Sequence, residues 1–309
     1  MNITAEVATG EWMLTAGPYR CVVSPVGATI RALTVHGRDL VVPFGPGEIR
    51  PLYRGALIAP WPNRIRDGRY TFAGIEQQAG INEVARGTAL HGLVQWIRWQ
   101  PLTVADDRVV LTHDLVPQDG YPFPLRLQVT YALSADGLVG TLMTTNVGPA
   151  DAPFGCCPHP YLVAGDGPLD SWELTAPVAT RLEVDDRLLP TELVPVAAVD
   201  NDFRAPALIG SREIDHCFAD VDFGGADGHT ATVRVTDPAH GTGVELSWGR
   251  WAPWLQIHTA DRPEPENNRV GLAVEPMSCP PDAFNLPADR VPVLAAGAIH
   301  TASWTIRGI

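Results

Sequence analysis

Several short segments of this chain hold residue types suited to proton transfer and to holding hydroxyl groups. In Arg54–Phe72 (RGALIAPWPNRIRDGRYTF), Pro60 and Pro62 prevent regular structure around Trp61, and Asn63 and Arg64 follow on an irregular turn. The loop offers an aromatic surface, an amide and a fork of donors, the mix that sugar hydroxyls need. It reads equally well as a structural loop whose Arg pairs with a carboxylate. Next comes Leu90-His91-Gly92-Leu93, with Trp96 and Trp99 close behind. A histidine before glycine can approach a ligand closely, although a core histidine bound to a carbonyl is the more ordinary reading. In Cys156-Cys157-Pro158-His159-Pro160-Tyr161, two prolines stiffen the backbone on both sides of His159, which suits a side chain held in one pose. A Cys-Cys-x-His metal cluster lacks further ligands at workable spacing, so no metal site is expected. Ile214-Asp215-His216 adds a carboxylate, a weak signal alone.

Two further segments carry more information. If PWLQIHT (Pro253–Thr259) is a strand, Leu255 and Ile257 face one way, and Trp254, Gln256 and His258 face the other. An amide, an imidazole and an indole on one face read as a binding surface. In VGLAVEP (Val270–Pro276), Glu275 shares a face with Gly271 and Ala273, small residues that leave room above it. Pro276 is expected to stop the ladder. A carboxylate there is partly desolvated unless an Arg pairs with it, and desolvation raises its value as a base.

The elements that must position these groups are strands. Period-2 patterns recur, as in Leu125–Leu133, where Leu125, Leu127, Val129, Tyr131 and Leu133 share one face. No amphipathic helix longer than two turns is convincing. Gly and Pro number 29 each and are spread throughout, with no linker, repeat or low-complexity tract. The expectation is an all-β chain, a large antiparallel β-sandwich in which residues 1–309 form a single domain. Asp261–Asn268 (DRPEPENN) reads as an exposed loop.

Composition narrows the partners. The net charge is −13, with no basic cluster, so nucleic acid and anionic membrane surfaces are poor partners. There is no lysine, which removes Schiff-base chemistry and the Walker A loop. The five cysteines include no C-x-x-C pair and read as buried, reduced thiols. No run of about 18 apolar residues appears, and Met1–Gly10 has no leader pattern, so a cytoplasmic location is expected.

The order of the segments is more specific than any one of them. Asn63-Arg64, His91-Gly92, His159-Pro160-Tyr161, Asp215-His216, Gln256 and Glu275-Pro276 with Pro281-Asp282-Ala283-Phe284-Asn285 together resemble the aldose 1-epimerase (galactose mutarotase) family. The resemblance runs from about Gly55 to the C-terminal strand. It implies a β-supersandwich and an enzyme that interconverts sugar anomers with no metal or organic cofactor. It also implies Glu275 as general base, His159 as general acid and His91 as the second active-site histidine. By the same resemblance, Asn63, Arg64, Asp215 and Gln256 hold sugar hydroxyls. His258 stands where galactose enzymes often have Tyr, and Trp96 belongs to an HGL-x-x-W form. PWPNRI and HGL-x-x-W look closer to the YihR-like branch, associated with sulfoquinovose and less well-defined sugars, so the reaction carries over better than the substrate. The competing expectations are a non-catalytic sugar sensor, a glycoside hydrolase on a similar sandwich and a hexose-6-phosphate epimerase. Hydrolysis would want two carboxylates about 5–9.5 Å apart. A phosphate or sulfonate would want extra Arg, for which Arg66, Arg69, Arg86 and Arg98 lie near in sequence.

Overall fold

The computed structural model describes residues 10–225 and 228–309. Met1–Gly10, read above for a leader, lies outside the described residues except for Gly10. Among the described residues no helix is long and apolar enough to cross a membrane.

The period-2 patterns become strands, and the regular structure is almost entirely antiparallel sheet. In the Leu125–Ser134 strand, the five alternate apolar side chains are buried and Arg126 is exposed. This strand lies in a nine-stranded sheet between Arg108–Leu115 and Gly137–Asn146. The last strand, Ile299–Gly308, sits at the centre of that sheet and joins its two halves, pairing with Gly137–Asn146 and Thr242–Gly249.

A second, six-stranded sheet carries most of the chemistry. Its order is Tyr161–Leu162, Leu272–Met277, Trp254–His258, Asp215–Val221, Val178–Val184, Pro190–Pro195. Leu255, Ile257, Leu272 and Val274 face inward and join Leu127, Val129, Val233 and Trp248 of the larger sheet in one contiguous apolar core. Burying such side chains contributes roughly 1.5–3 kcal/mol each. The opposite face of the Leu272–Met277 strand is also buried, with Ala273 against Tyr161 and Met277 among Cys157, Cys217 and Ile58.

Pro276 does not end the strand. It sits inside Leu272–Met277, opposite Leu255. Val274 N–H donates to Pro160 O at 3.1 Å, and Ser278 N–H to Cys156 O at 3.1 Å. In an antiparallel ladder, alternate residues turn their backbone groups to the same neighbour. The donor that Pro276 lacks is therefore missing on the 156–160 side, and the pairing of Glu275 with Gln256 is undisturbed.

Candidate active site

Glu275 stands on the second strand of the six-stranded sheet, directly opposite Gln256 and only 2% exposed. His159 reaches the same point from the Cys157–His159 strand, which pairs with Ala56–Ile58. Its Nε2 lies 3.3 Å from Glu275 Oε1, and its ring stacks on Tyr161 with centroids 5.5 Å apart.

His91 closes the group from a tight turn. It adopts φ +62°, followed by Gly92 at +67°. A Cβ on Gly92 would lie 2.1 Å from the Ala59 carbonyl oxygen, which Leu93 N–H binds at 2.8 Å, so only glycine fits there. His91 N–H donates to Asn63 O at 2.8 Å, and Asn63 N–H donates to His91 Nδ1 at 3.3 Å. With Nδ1 accepting, the neutral ring carries its proton on Nε2.

The remaining polar groups are linked through Asn63, whose Oδ1 accepts from Arg64 Nη1 at 3.3 Å. Asn63 Nδ2 donates to Gln256 Oε1 at 3.3 Å, and Gln256 Nε2 donates to Asp215 Oδ1 at 2.8 Å. Arg64 is gripped by Glu83, with Nε to Oε2 at 2.8 Å and Nη2 to Oε1 at 3.0 Å. Thr88 and Arg86 also donate to Glu83. His258 Nδ1 faces Ile214 O at 3.3 Å, while its Nε2 lies 3.5 Å from Arg262 Nη2. Together with Leu52, Tyr53, Leu90 and Tyr161, these side chains line a solvent-open cleft with about 480 Å³ of empty space.

Burial dominates the electrostatics. It pushes Glu275 well above the usual carboxylate range, helped by the Asp215 charge and opposed by the Cys157 thiol and Arg64. Burial also draws His159 down to about 3. His91 is held well below the usual imidazole value by burial, then by the charges of His159, Arg64 and Arg50. Burial thus pushes all three groups toward their uncharged forms, Glu275 upward and His159 and His91 downward.

His91, His159 and Glu275 bring three metal-ligand atoms within 4.8 Å of one another. Their hydrogen bonding does not fit a resident metal. Metal on His91 Nε2 would need a proton on Nδ1, where Asn63 N–H already points as a donor. His159 Nδ1 is buried with no acceptor to orient it.

The family sequence model described as aldose 1-epimerase matches residues 12–307. The chain belongs to the aldose 1-epimerase family. It is therefore an isomerase of the epimerase type. It is 35% identical over 310 residues to the protein YihR of Escherichia coli (strain K12), covering 100% of this chain and 96% of that one. It is 29% identical over 217 residues to galactose mutarotase of Sus scrofa, covering 65% of this chain and 62% of that protein. Among solved structures, the GalM/aldose epimerase homologue of C. elegans superposes with TM-score 0.84 at 20% identity, covering 98% and 99% of the two chains. At that identity the likeness speaks for the shared β-sandwich fold.

Of the residues expected from this epimerase sequence, Asn63, Arg64, His91, His159, Asp215, Gln256, His258 and Glu275 meet around the cleft. Trp96 does not. It lies beyond Tyr53, is 49% exposed, and packs under the Arg50 guanidinium at 4.4 Å in a neighbouring depression. Trp61, the aromatic of the PWPN loop, turns into the core against Tyr121 and Phe284 and donates to Ala89 O at 3.2 Å. Arg66 pairs with Asp282, Arg69 binds Gln78 and Arg86 pairs with Glu83, and none of them lines the cleft. The PDAFN segment is a buttress: Asp282 N–H donates to Arg64 O at 2.7 Å, and Asp282 Oδ1 accepts from Arg66 N–H at 2.8 Å. Glu83, Tyr53 and Arg262 escaped the sequence reading. Arg262 alone had a signal, since it sits in the most polar loop of the chain.

Proposed function

We propose that this enzyme interconverts the α- and β-anomers of a free aldohexose or a derivative of one, with Glu275 and His159 moving the protons. The observation that carries the reading is the buried 3.3 Å contact between Glu275 Oε1 and His159 Nε2 at the cleft that Asn63, Gln256 and Asp215 also line. Ring opening needs the O1 proton removed and the ring oxygen protonated as the C1–O5 bond breaks. Glu275 carboxylate takes the O1 proton, the C1=O1 double bond forms, and His159 imidazolium gives its proton to O5. One proton has then passed from His159 to Glu275 by way of the sugar. The resulting pair, carboxylic acid and neutral imidazole, is the uncharged pair toward which burial pushes both groups. It is also the form needed for closure, in which Glu275 protonates O1 and His159 takes the O5 proton. Direct transfer across the 3.3 Å contact resets the pair for a cyclic sugar. After rotation about C1–C2, closure gives the other anomer. His91, neutral and donating from Nε2, stabilises charge on oxygen. Arg64, Asn63, Gln256, Asp215 and His258 hold the hydroxyls. No cofactor takes part.

The sugar itself is a finer matter. Arg262 lines the cleft and, among the described residues, makes no ion pair with a carboxylate. That supports including an anionic hexose among the substrates. The test is NMR or polarimetric relaxation of freshly dissolved α-glucose, α-galactose and α-sulfoquinovose with the purified enzyme. Acceleration of at least one, lost in Glu275→Gln, is expected. Folded protein that accelerates none overturns the reading in favour of a sugar sensor, and release of reducing ends from glycosides would point to a hydrolase. If the anionic sugar is preferred, Arg262→Ala should raise its KM more than that of a neutral hexose.

A further inference from the structure

We infer that Cys157 is a positioning residue for the catalytic carboxylate: its thiol donates to Glu275 Oε2, fixes the rotamer of the base and sets its basicity. The inference rests on the proposed role of Glu275.

The two oxygens of Glu275 meet different groups. Oε1 faces His159 Nε2 at 3.3 Å, and Oε2 faces Cys157 Sγ at 3.8 Å, within the range of a sulfur hydrogen bond. Both residues belong to rigid elements. Cys157 is on the short strand that also delivers His159, with Pro158 between them, and it pairs with Ile58. One backbone segment thus places the acid on one carboxylate oxygen and the thiol on the other. Cys157 is fully buried beside Cys217, Met277, Ala56 and Ile58. This setting keeps it a thiol rather than a thiolate, since burial and the nearby Glu275 push its ionisation well above the usual range. Oε2 keeps an acceptor lone pair whether Oε1 is ionised or protonated, so the thiol can donate to it through each proton transfer at Oε1.

The choice of sulfur has a chemical reason. A hydroxyl is a stronger donor than a thiol, and would stabilise the carboxylate more and make it a weaker base. An apolar residue would leave Oε2 buried with no donor and make the acid form too persistent. A weak donor fixes orientation at a small cost in basicity.

The experiment is the pH profile of kcat/KM for anomer relaxation in Cys157→Ser and Cys157→Ala, with Cys156→Ala as a neighbouring buried-thiol control and circular dichroism and urea unfolding to confirm folding. The acid limb should move to lower pH in Cys157→Ser and to higher pH in Cys157→Ala, each by roughly half to one unit, the effect of one modest hydrogen bond. The control should keep the wild-type limb. If the limbs of both Cys157 variants coincide with wild type, or both move the same way, the thiol only fills space and the inference fails. Should Cys157→Ala not fold, a Cys157→Ser limb that stays in place is enough to overturn it. The underlying reading fails separately, if Glu275→Gln keeps its turnover.

Discussion

At the scale of single residues, the proposed chemistry rests on the contact between two buried ionisable groups, Glu275 and His159. Desolvation works against the charged form of both, raising Glu275 and lowering His159. Glu275→Gln keeps the shape and removes the basic oxygen. It should lower turnover by about 10²–10⁴-fold, the usual worth of a general acid–base group, while calorimetric sugar affinity stays within a few-fold. A loss under about tenfold would remove Glu275 from that role. Glu83→Gln tests a different link. It weakens the fork that aims Arg64, so KM should rise while the pH profile keeps its shape. Small neighbours, flanking prolines and a following glycine drew attention to Glu275, His159 and His91, but each mark was weak alone, and it was the order of the segments that grouped the three residues that line the cleft. Glu83 had none. Its function comes from Arg64, 19 positions away, and no local pattern encodes that pairing.

At the scale of elements, strands deliver the acid–base pair and turns deliver much of the rest. The alternation in PWLQIHT and VGLAVEP marked the faces of Gln256 and Glu275 correctly, because side-chain direction in a strand follows from sequence parity alone. The end of the Leu272–Met277 strand was not legible. Whether a proline breaks a ladder depends on which neighbour its missing donor would have served, and that neighbour lies more than a hundred residues away. The aromatic of the PWPN loop was misjudged for a similar reason, since nothing local says that Trp61 turns inward while Asn63 turns to the cleft. The turn at His91-Gly92 offers a sharp test. Gly92→Ala forces a side chain into φ +67° and against the Ala59 carbonyl. Strain of this kind costs about 1–3 kcal/mol, to be read from urea unfolding. Because the same turn aims His91, activity should fall beyond what the unfolded fraction explains.

At the scale of the whole molecule, the burial that tunes the site also shapes its response to acid. A group that differs by one proton between folded and unfolded chains adds a slope of about 1.4 kcal/mol per pH unit. His159 is held at about 3, below its unfolded value, so its contribution is lost as pH falls through the range beneath the usual imidazole value. His91 has the same sign. Glu275 is raised, so its contribution is complete below its unfolded value of ~4.3 and is lost as pH rises above it. Above ~4.3 the raised carboxyl therefore opposes the slope that the histidines give. In Glu275→Gln this opposition disappears, and the unfolding free energy should depend on pH more steeply above ~4.3, by up to about 1.4 kcal/mol per unit. An unchanged slope would mean that the folded carboxyl is already ionised. The all-β class was plain from period-2 patterning, yet the joining of the large sheet by its last strand was not, because pairing across such distances leaves no periodic trace.

The division between strands and loops around the cleft bears on how such a catalyst diversifies. Glu275 and His159, the pair proposed to move the protons, are anchored in paired backbone, whereas Tyr53 and Arg262, which line the same opening, stand on a short 3-10 turn and a loop. Insertions or exchanges in those segments can reshape which molecule is admitted without disturbing the proton relay. One chemical engine can in this way pass through many selective regimes, with ancestry written in the strands and diet in the loops.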